Sequence, residues 1–147
     1  MTEYTCQRLL DYGVVMSTIS ELWDEIAEDD APPYQPDVVN EYYIGIFADN
    51  KYIGMYRLHQ LKSVLWEGHA FILNREHSDA SGTAIKKWIV ENLEGAKKVI
   101  AHAPECFPNV INFLKRMGFV EQGYSSDSYT KNGVVGLYQF GMKVEDM

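Results

Sequence analysis

Cysteine is scarce in this chain. Cys6 and Cys106 are the only two, in no paired spacing, which excludes a disulfide framework and reads as two reduced thiols. Basic residues are outnumbered, 13 Lys and Arg against 21 Asp and Glu, for a formal charge of −8 at pH 7. That field repels nucleic acid and anionic lipid and favours a cationic substrate or partner. No run approaches the roughly 20 apolar residues that cross a bilayer. The opening Met1-Thr2-Glu3-Tyr4 has neither the basic stretch nor the apolar stretch of an export signal. The chain is therefore read as cytoplasmic, with no membrane and no nucleic acid among its partners. Internal repeats, low-complexity tracts and any grouping that reads as a metal site are missing as well.

What is present is ordinary globular composition. A chain of 147 residues, 46% hydrophobic and 13% aromatic, suffices for one domain over 1–147 with a single core. Residues 3–9 read as a short strand. Asp11 caps a helix in which Val15, Ile19, Leu22 and Ile26 recur at helical spacing, and the acidic stretch Glu21–Asp30 continues it. Pro32, Pro33 and Pro36 follow and stop it. Glu41–Ala48 and Lys51–Leu61 read as a hairpin about Asp49-Asn50, and Val64–Leu73 as the next strand.

A helix over about Ser81–Glu94 places Ile85, Trp88, Ile89 and Leu93 on one stripe, with Gly95 as its stop. Val99–Ala103 suits a central buried strand. A last helix opens at Pro108-Asn109 and closes at Gly118, before a hairpin of Val120–Thr130 and Val134–Val144 about Asn132-Gly133. The fold class is α+β, a mixed and mostly antiparallel sheet with helices on both faces.

The stretch with chemistry in it runs from Ile72 to Ala84. An apolar run leads into small polar residues, Ser78 to Thr83, which open a helix at Gly82, Thr83 and Ala84. Unpaired N–H groups and the partial positive charge of a helix N-terminus make such a loop a cradle for phosphate. Ser81 as a plain N-cap in a simple connection is the other reading.

The order of elements resembles the GNAT superfamily of acyl-CoA-dependent N-acyltransferases over roughly residues 40–144. Their pyrophosphate loop, Arg/Gln-x-x-Gly-x-Gly/Ala, is matched by His77, Ala80 and Gly82, and Thr83-Ala84-Ile85 matches the helix start. Lys115-Arg116-Met117-Gly118-Phe119 is similar to the family's Tyr-Glu-Lys-Leu-Gly-Phe ending. Trp66-Glu67-Gly68-His69-Ala70-Phe71, Asn109 to Phe113 and Met117-Gly118-Phe119 look like a phage-borne branch, some members of which carry a head-assembly label.

The resemblance implies acetyl-CoA as cofactor. Phe71, Ile72 and Leu73 would serve the wedge that holds the pantetheine arm, opposite Ile100–Ala103. His77, Ser78, Asp79, Ala80, Ser81, Gly82 and Thr83 would hold the pyrophosphate. Lys86 and Lys87 could neutralise its charge, although a solvated face is their default. Glu67 is the candidate general base toward a small-molecule or peptide amine. Counting from the loop puts the family position on Trp66, and a β-bulge would be needed to restore Glu67. His69 shares the face of Glu67 by period two and is the second candidate, against a structural role. His102 reads as structural.

The family's usual proton donor is a Tyr where this chain has Leu114, so Tyr124, Tyr129 or Tyr138 would have to protonate the leaving thiolate. Cys106, just past the fifth strand, could open a thioester route or be a quiet small residue. Two functions from different classes stand side by side. One is an N-acetyltransferase acting by direct attack of the amine, able to form a homodimer. The other is a catalytically degenerate structural or assembly protein of phage origin, favoured by Ala80 and Leu114.

Overall fold

Seven strands form one sheet in the computed structural model, which describes residues 1–147. They are β1 (Tyr4–Arg8), β2 (Tyr42–Ala48), β3 (Lys51–Lys62), β4 (Leu65–Ile72), β5 (Lys98–Pro104), β6 (Val120–Thr130) and β7 (Val134–Lys143). Their order across the sheet is β1-β2-β3-β4-β5-β7-β6. Only β4 and β5 run parallel; every other neighbouring pair is antiparallel. Helices α1 (Tyr12–Ile26), α2 (Ser78–Asn92) and α3 (Pro108–Met117) complete the α+β architecture.

Period-two alternation divides the sheet into two apolar faces. One carries Ile44, Ile46, Tyr56, Leu58, Trp66, Val99 and Phe140, buried against Ile85 and Ile89 of α2 and Leu114 and Met117 of α3. The other carries Tyr43, Met55 and Phe71, covered by Val15 and Ile19 of α1. Local chemistry closes the connections as expected. Asp49 and Asn50 both take positive φ, 47° and 68°, the conformation of a tight hairpin turn. Gly118 ends α3 at φ 101°, where an L side chain would be strained.

Two boundaries differ from the sequence reading. Helix α1 starts as expected, with Asp11 Oδ1 accepting from the N–H groups of Gly13 and Val14 at 2.9 and 3.3 Å. It stops at Ile26, however: Glu21, Asp24 and Glu25 stay in the helix, and Glu28, Asp29 and Asp30 lie beyond it. Glu28 Oε2 accepts from the N–H and hydroxyl of Thr130, both at 3.1 Å, and Asp29 Oδ2 from the Asn132 N–H at 2.6 Å. Lys131 Nζ donates to the carbonyls of Asp24 and Ala27. The β6–β7 turn thus caps α1, and this tertiary docking outweighs the helical propensity of the acidic stretch.

Helix α2, for its part, begins at Ser78, three residues before the expected Ser81, because a 3₁₀ turn over Arg75–His77 feeds straight into it. Asn74 does the capping, its Oδ1 accepting from the Glu76 N–H at 3.2 Å. Ser81 is wholly buried inside the helix. Its hydroxyl donates to the Ser78 carbonyl at 2.7 Å and lies 2.8 Å from the Tyr56 hydroxyl, tying α2 to β3.

Candidate active site

The parallel ladder of β4 and β5 lasts three residues. Leu65, Trp66 and Glu67 pair with Lys98, Val99 and Ile100. Beyond Glu67 the two strands no longer pair, although β4 continues to Ile72 and β5 to Pro104. β3 still bonds β4 on its far side and β7 bonds β5. The facing backbone groups of the two strands are therefore left without a strand partner, which in a folded chain calls for another occupant. Ala70 is exposed in mid-strand for the same reason. Phe71 and Ile72 lie along the open part of β4. Leu73 follows it, with its N–H turned to the Ile53 carbonyl at 2.9 Å.

At the apex of this wedge stands Glu67. Trp66 is buried in the core on the α2 face, so alternation turns Glu67 to the α1 face. No bulge in β4 is involved: the β3–β4 register runs unbroken from Gln60 opposite Trp66 to Gly54 opposite Ile72.

Three of the four histidines in the chain meet this carboxylate. His59 Nε2 lies 2.7 Å from Oε1, His69 Nε2 3.3 Å from the same oxygen, and His102 Nδ1 2.7 Å from Oε2. The side chain of Glu67 is 15% exposed, that of His69 37%. Hydrogen bonds from His102, then from His69, hold the Glu67 carboxyl far below its ordinary range and outweigh the opposing effect of burial. The bond to Glu67 raises His102 above its ordinary 6.5. The rings of His59 and His69 stack at 6.1 Å, 13° from parallel. Arg57, directly across from His69, is ion-paired with Glu41, and the Tyr34 ring lies under its guanidinium at 5.2 Å.

The residues expected to cradle phosphate sit on the first turns of α2, and several are already engaged. The N–H groups of His77 and Ser78 donate to the carbonyls of Asn74 and Arg75. His77 Nδ1 lies 2.6 Å from the Tyr4 hydroxyl. Asp79 pairs with Arg116 of α3 at 3.1 Å. Ala80 is half-buried and Thr83 exposed. Gly82 serves packing: a Cβ there would meet Met117 Cγ at 3.0 Å. Lys86 Nζ donates to the Met117 carbonyl at 2.8 Å, capping α3. Lys87 is exposed beside Glu91. Asp79, Thr83, Lys86, Arg116 and Met117 line a cavity of about 110 Å³.

The tyrosines lie elsewhere. Tyr124 is opposite Tyr138, which is opposite Ala103, so both rings sit on the α2 face, away from Glu67. The Tyr124 hydroxyl donates to Glu105 Oε2 at 2.7 Å. Tyr129 donates to the Ile26 carbonyl at 2.7 Å. Leu114 is buried in the core and Cys106 exposed. Burial pushes the Cys6 thiol up to about 11.

His59 was missed by sequence reasoning, and His102 was read as structural. The β3–β4 turn at Ser63-Val64 would by itself set Gln60 across from Glu67. An irregularity in β3 between Gln60 and Lys62 shifts the register by one residue and brings His59 there instead, and no local pattern marks it.

No protein-family model matches the sequence, and no curated protein matches it. Solved structures do. Spermidine N-acetyltransferase from Vibrio cholerae, in complex with CoA and spermine, superposes with a TM-score of 0.78 at 14% identity, over 97% of this chain and 96% of that one. A dodecameric structure of the same Vibrio cholerae enzyme gives 0.76 at 15% identity, over 97% and 95%. A probable acetyltransferase gives 0.61 at 23% identity, over 74% and 65%. The chain has the single-domain fold of these N-acetyltransferases. None of these three is described as a phage or head-assembly protein.

Proposed function

We propose that the protein transfers an acetyl group from acetyl-CoA to an amine. The observation that carries this reading is the β4/β5 wedge, which ends on an ionised carboxylate surrounded by imidazoles. Unpartnered backbone of β4 beyond Glu67 would hold the pantetheine arm as an added strand would be held. The first turn of α2, at Asp79 and Ala80, together with Arg116, would hold the pyrophosphate. Bound acetyl-CoA supplies a thioester activated toward nitrogen.

Glu67 is too strongly held in its charged form to be an efficient proton acceptor, since a general base works best with a pKa near the operating pH. His69, the most exposed of the three imidazoles, takes the proton of the attacking ammonium. Glu67 orients that ring and balances its positive charge, as the acid of a catalytic triad does. The acceptor is an amine, and the charge of −8 favours one with several positive centres. The polyamine bound by the Vibrio cholerae neighbour is such a molecule. The same reading takes the protein as cytoplasmic, with the exposed edge strand β6 as the surface of a homodimer.

A second reading, a non-catalytic structural or assembly protein, is favoured by Leu114 in place of a proton donor and by the Asp79 carboxylate at the phosphate end. Thermal unfolding with acetyl-CoA, followed by a transfer assay over an amine panel, separates the two. Ligand at a hundredfold excess over Kd stabilises by about 2.7 kcal/mol, several degrees for a domain of this size. No shift at millimolar acetyl-CoA overturns cofactor binding. A shift without transfer to any amine selects the second reading.

A further inference from the structure

We propose that His59, Glu67 and His69 form a binding site for a divalent transition-metal ion, of which Zn²⁺ is the type. The proposal stands on side-chain geometry and does not depend on acyl transfer. The three donor atoms come from adjacent antiparallel strands in fixed register: His59 faces Glu67 across the β3–β4 ladder, and His69 follows Glu67 by two residues on the same face. One ligand atom from each residue lies within 4.8 Å of the others. The two imidazoles are nearly parallel and both present Nε2, at 2.7 and 3.3 Å from Glu67 Oε1. Bonds of 2.0–2.2 Å to a tetrahedral zinc ion set its donors roughly 3.3 Å apart, so little movement separates the observed arrangement from a coordinating one. The ion takes the place of the protons that the imidazoles now direct at Oε1.

A built site has more than ligands, and this one does. His102 Nδ1 donates to the other oxygen, Oε2, at 2.7 Å, fixing the carboxylate as an outer hydrogen bond does around metal ligands. Arg57, directly across from His69, is neutralised by Glu41. Two neutral imidazoles and a carboxylate suit zinc, cobalt, nickel or iron(II), and not the all-oxygen preference of Mg²⁺ or Ca²⁺. Three protein ligands on a partly exposed face leave a coordination position open to water or to a Lewis-basic ligand. If acyl transfer also holds, a metal on His69 Nε2 leaves the ring's one proton on Nδ1, removes the base and inhibits the reaction.

The test is calorimetric titration of the whole chain, without CoA or amine, using ZnCl₂ after chelator treatment. One saturable equivalent is expected, with CoCl₂ giving a visible d–d absorption and MgCl₂ giving no heat. His59→Gln and His69→Gln should each weaken binding at least tenfold and the double variant should abolish it. His102→Gln should weaken it by about 10–100-fold without changing stoichiometry, and Cys106→Ser should leave it unchanged. Histidine ring ¹⁵N spectra of the wild type keep the idea testable should a variant misfold, because zinc must displace the Nε2 signals of His59 and His69. No saturable binding, unmoved His59 and His69 signals, survival in the double variant, or loss with Cys106→Ser would each overturn the proposal.

Discussion

Replacing Glu67 by glutamine keeps the shape of the side chain and removes its charge from among three imidazoles. Two of the three contacts are short, 2.7 Å to His59 and to His102. An amide can accept from one of them but turns its NH₂ toward the other. Hydrogen bonds to a charged group contribute about 1.5–3 kcal/mol each, and the partial exposure of the imidazoles calls for a discount. A net loss of about 2 kcal/mol is expected, which lowers Tm by roughly 4–8 °C. The sign of the pH dependence follows from the two shifts. The Glu67 carboxyl is lowered from an ordinary 4.5, so its contribution is present above that value and fades as pH falls below it. His102 is raised from an ordinary 6.5, so its contribution is complete below 6.5 and is lost as pH rises through the raised value.

The gap between wild type and Glu67→Gln should therefore be widest between pH 4.5 and 6.5 and narrow on either side. Urea unfolding of both proteins with a chelator present, at intervals from about pH 3.5 to 9, measures it. NMR titration of His102 should show its pKa falling in the variant, because burial is then opposed only by the weaker hydrogen bond to Gln139. A gap that does not change with pH, or a His102 titration indifferent to the substitution, would refute the electrostatic account of this cluster.

Two packing predictions concern the start of α2. Ser81→Ala strips the partner from the Tyr56 hydroxyl, on a residue only 4% exposed, and should cost about 1–3 kcal/mol. The double variant with Tyr56→Phe should cost less than the sum of the singles, and strict additivity in urea unfolding would show that the bond contributes nothing. Gly82→Val drives a branched side chain into Met117, whose Cγ is 3.0 Å from the Cβ position. A loss of about 1–3 kcal/mol is expected from overpacking, partly relieved by Met117→Ala. Wild-type stability would mean that α3 can retreat freely.

Local chemistry was legible along most of the chain. Asp49-Asn50 and Gly118 mark chain reversals and helix ends through backbone conformations that few residues accept, and the structure has them there. Asp11 caps α1 because a short oxygen-bearing side chain can reach N–H groups two and three residues ahead. Period two alone put Glu67 and His69 on one face. The early end of α1 was not legible, because the groups that satisfy it belong to Thr130, Lys131 and Asn132, a hundred residues on. Nor was the part played by Gly82, whose neighbour Met117 arrives from another helix.

The candidate site divides along the same line. A residue's face within its own strand is set by the pleat, and so can be counted from sequence. Which strands lie side by side, and in what register, is set by packing of the whole sheet, and a one-residue slip changes every cross-strand partner. By itself the sequence determined the order of elements, most of their limits, and the turning of Glu67 and His69 to a common side. Only the tertiary structure brought His59 from β3 and His102 from β5 onto that carboxylate and ended the β4–β5 ladder beside it, because those contacts join segments that nothing local holds together.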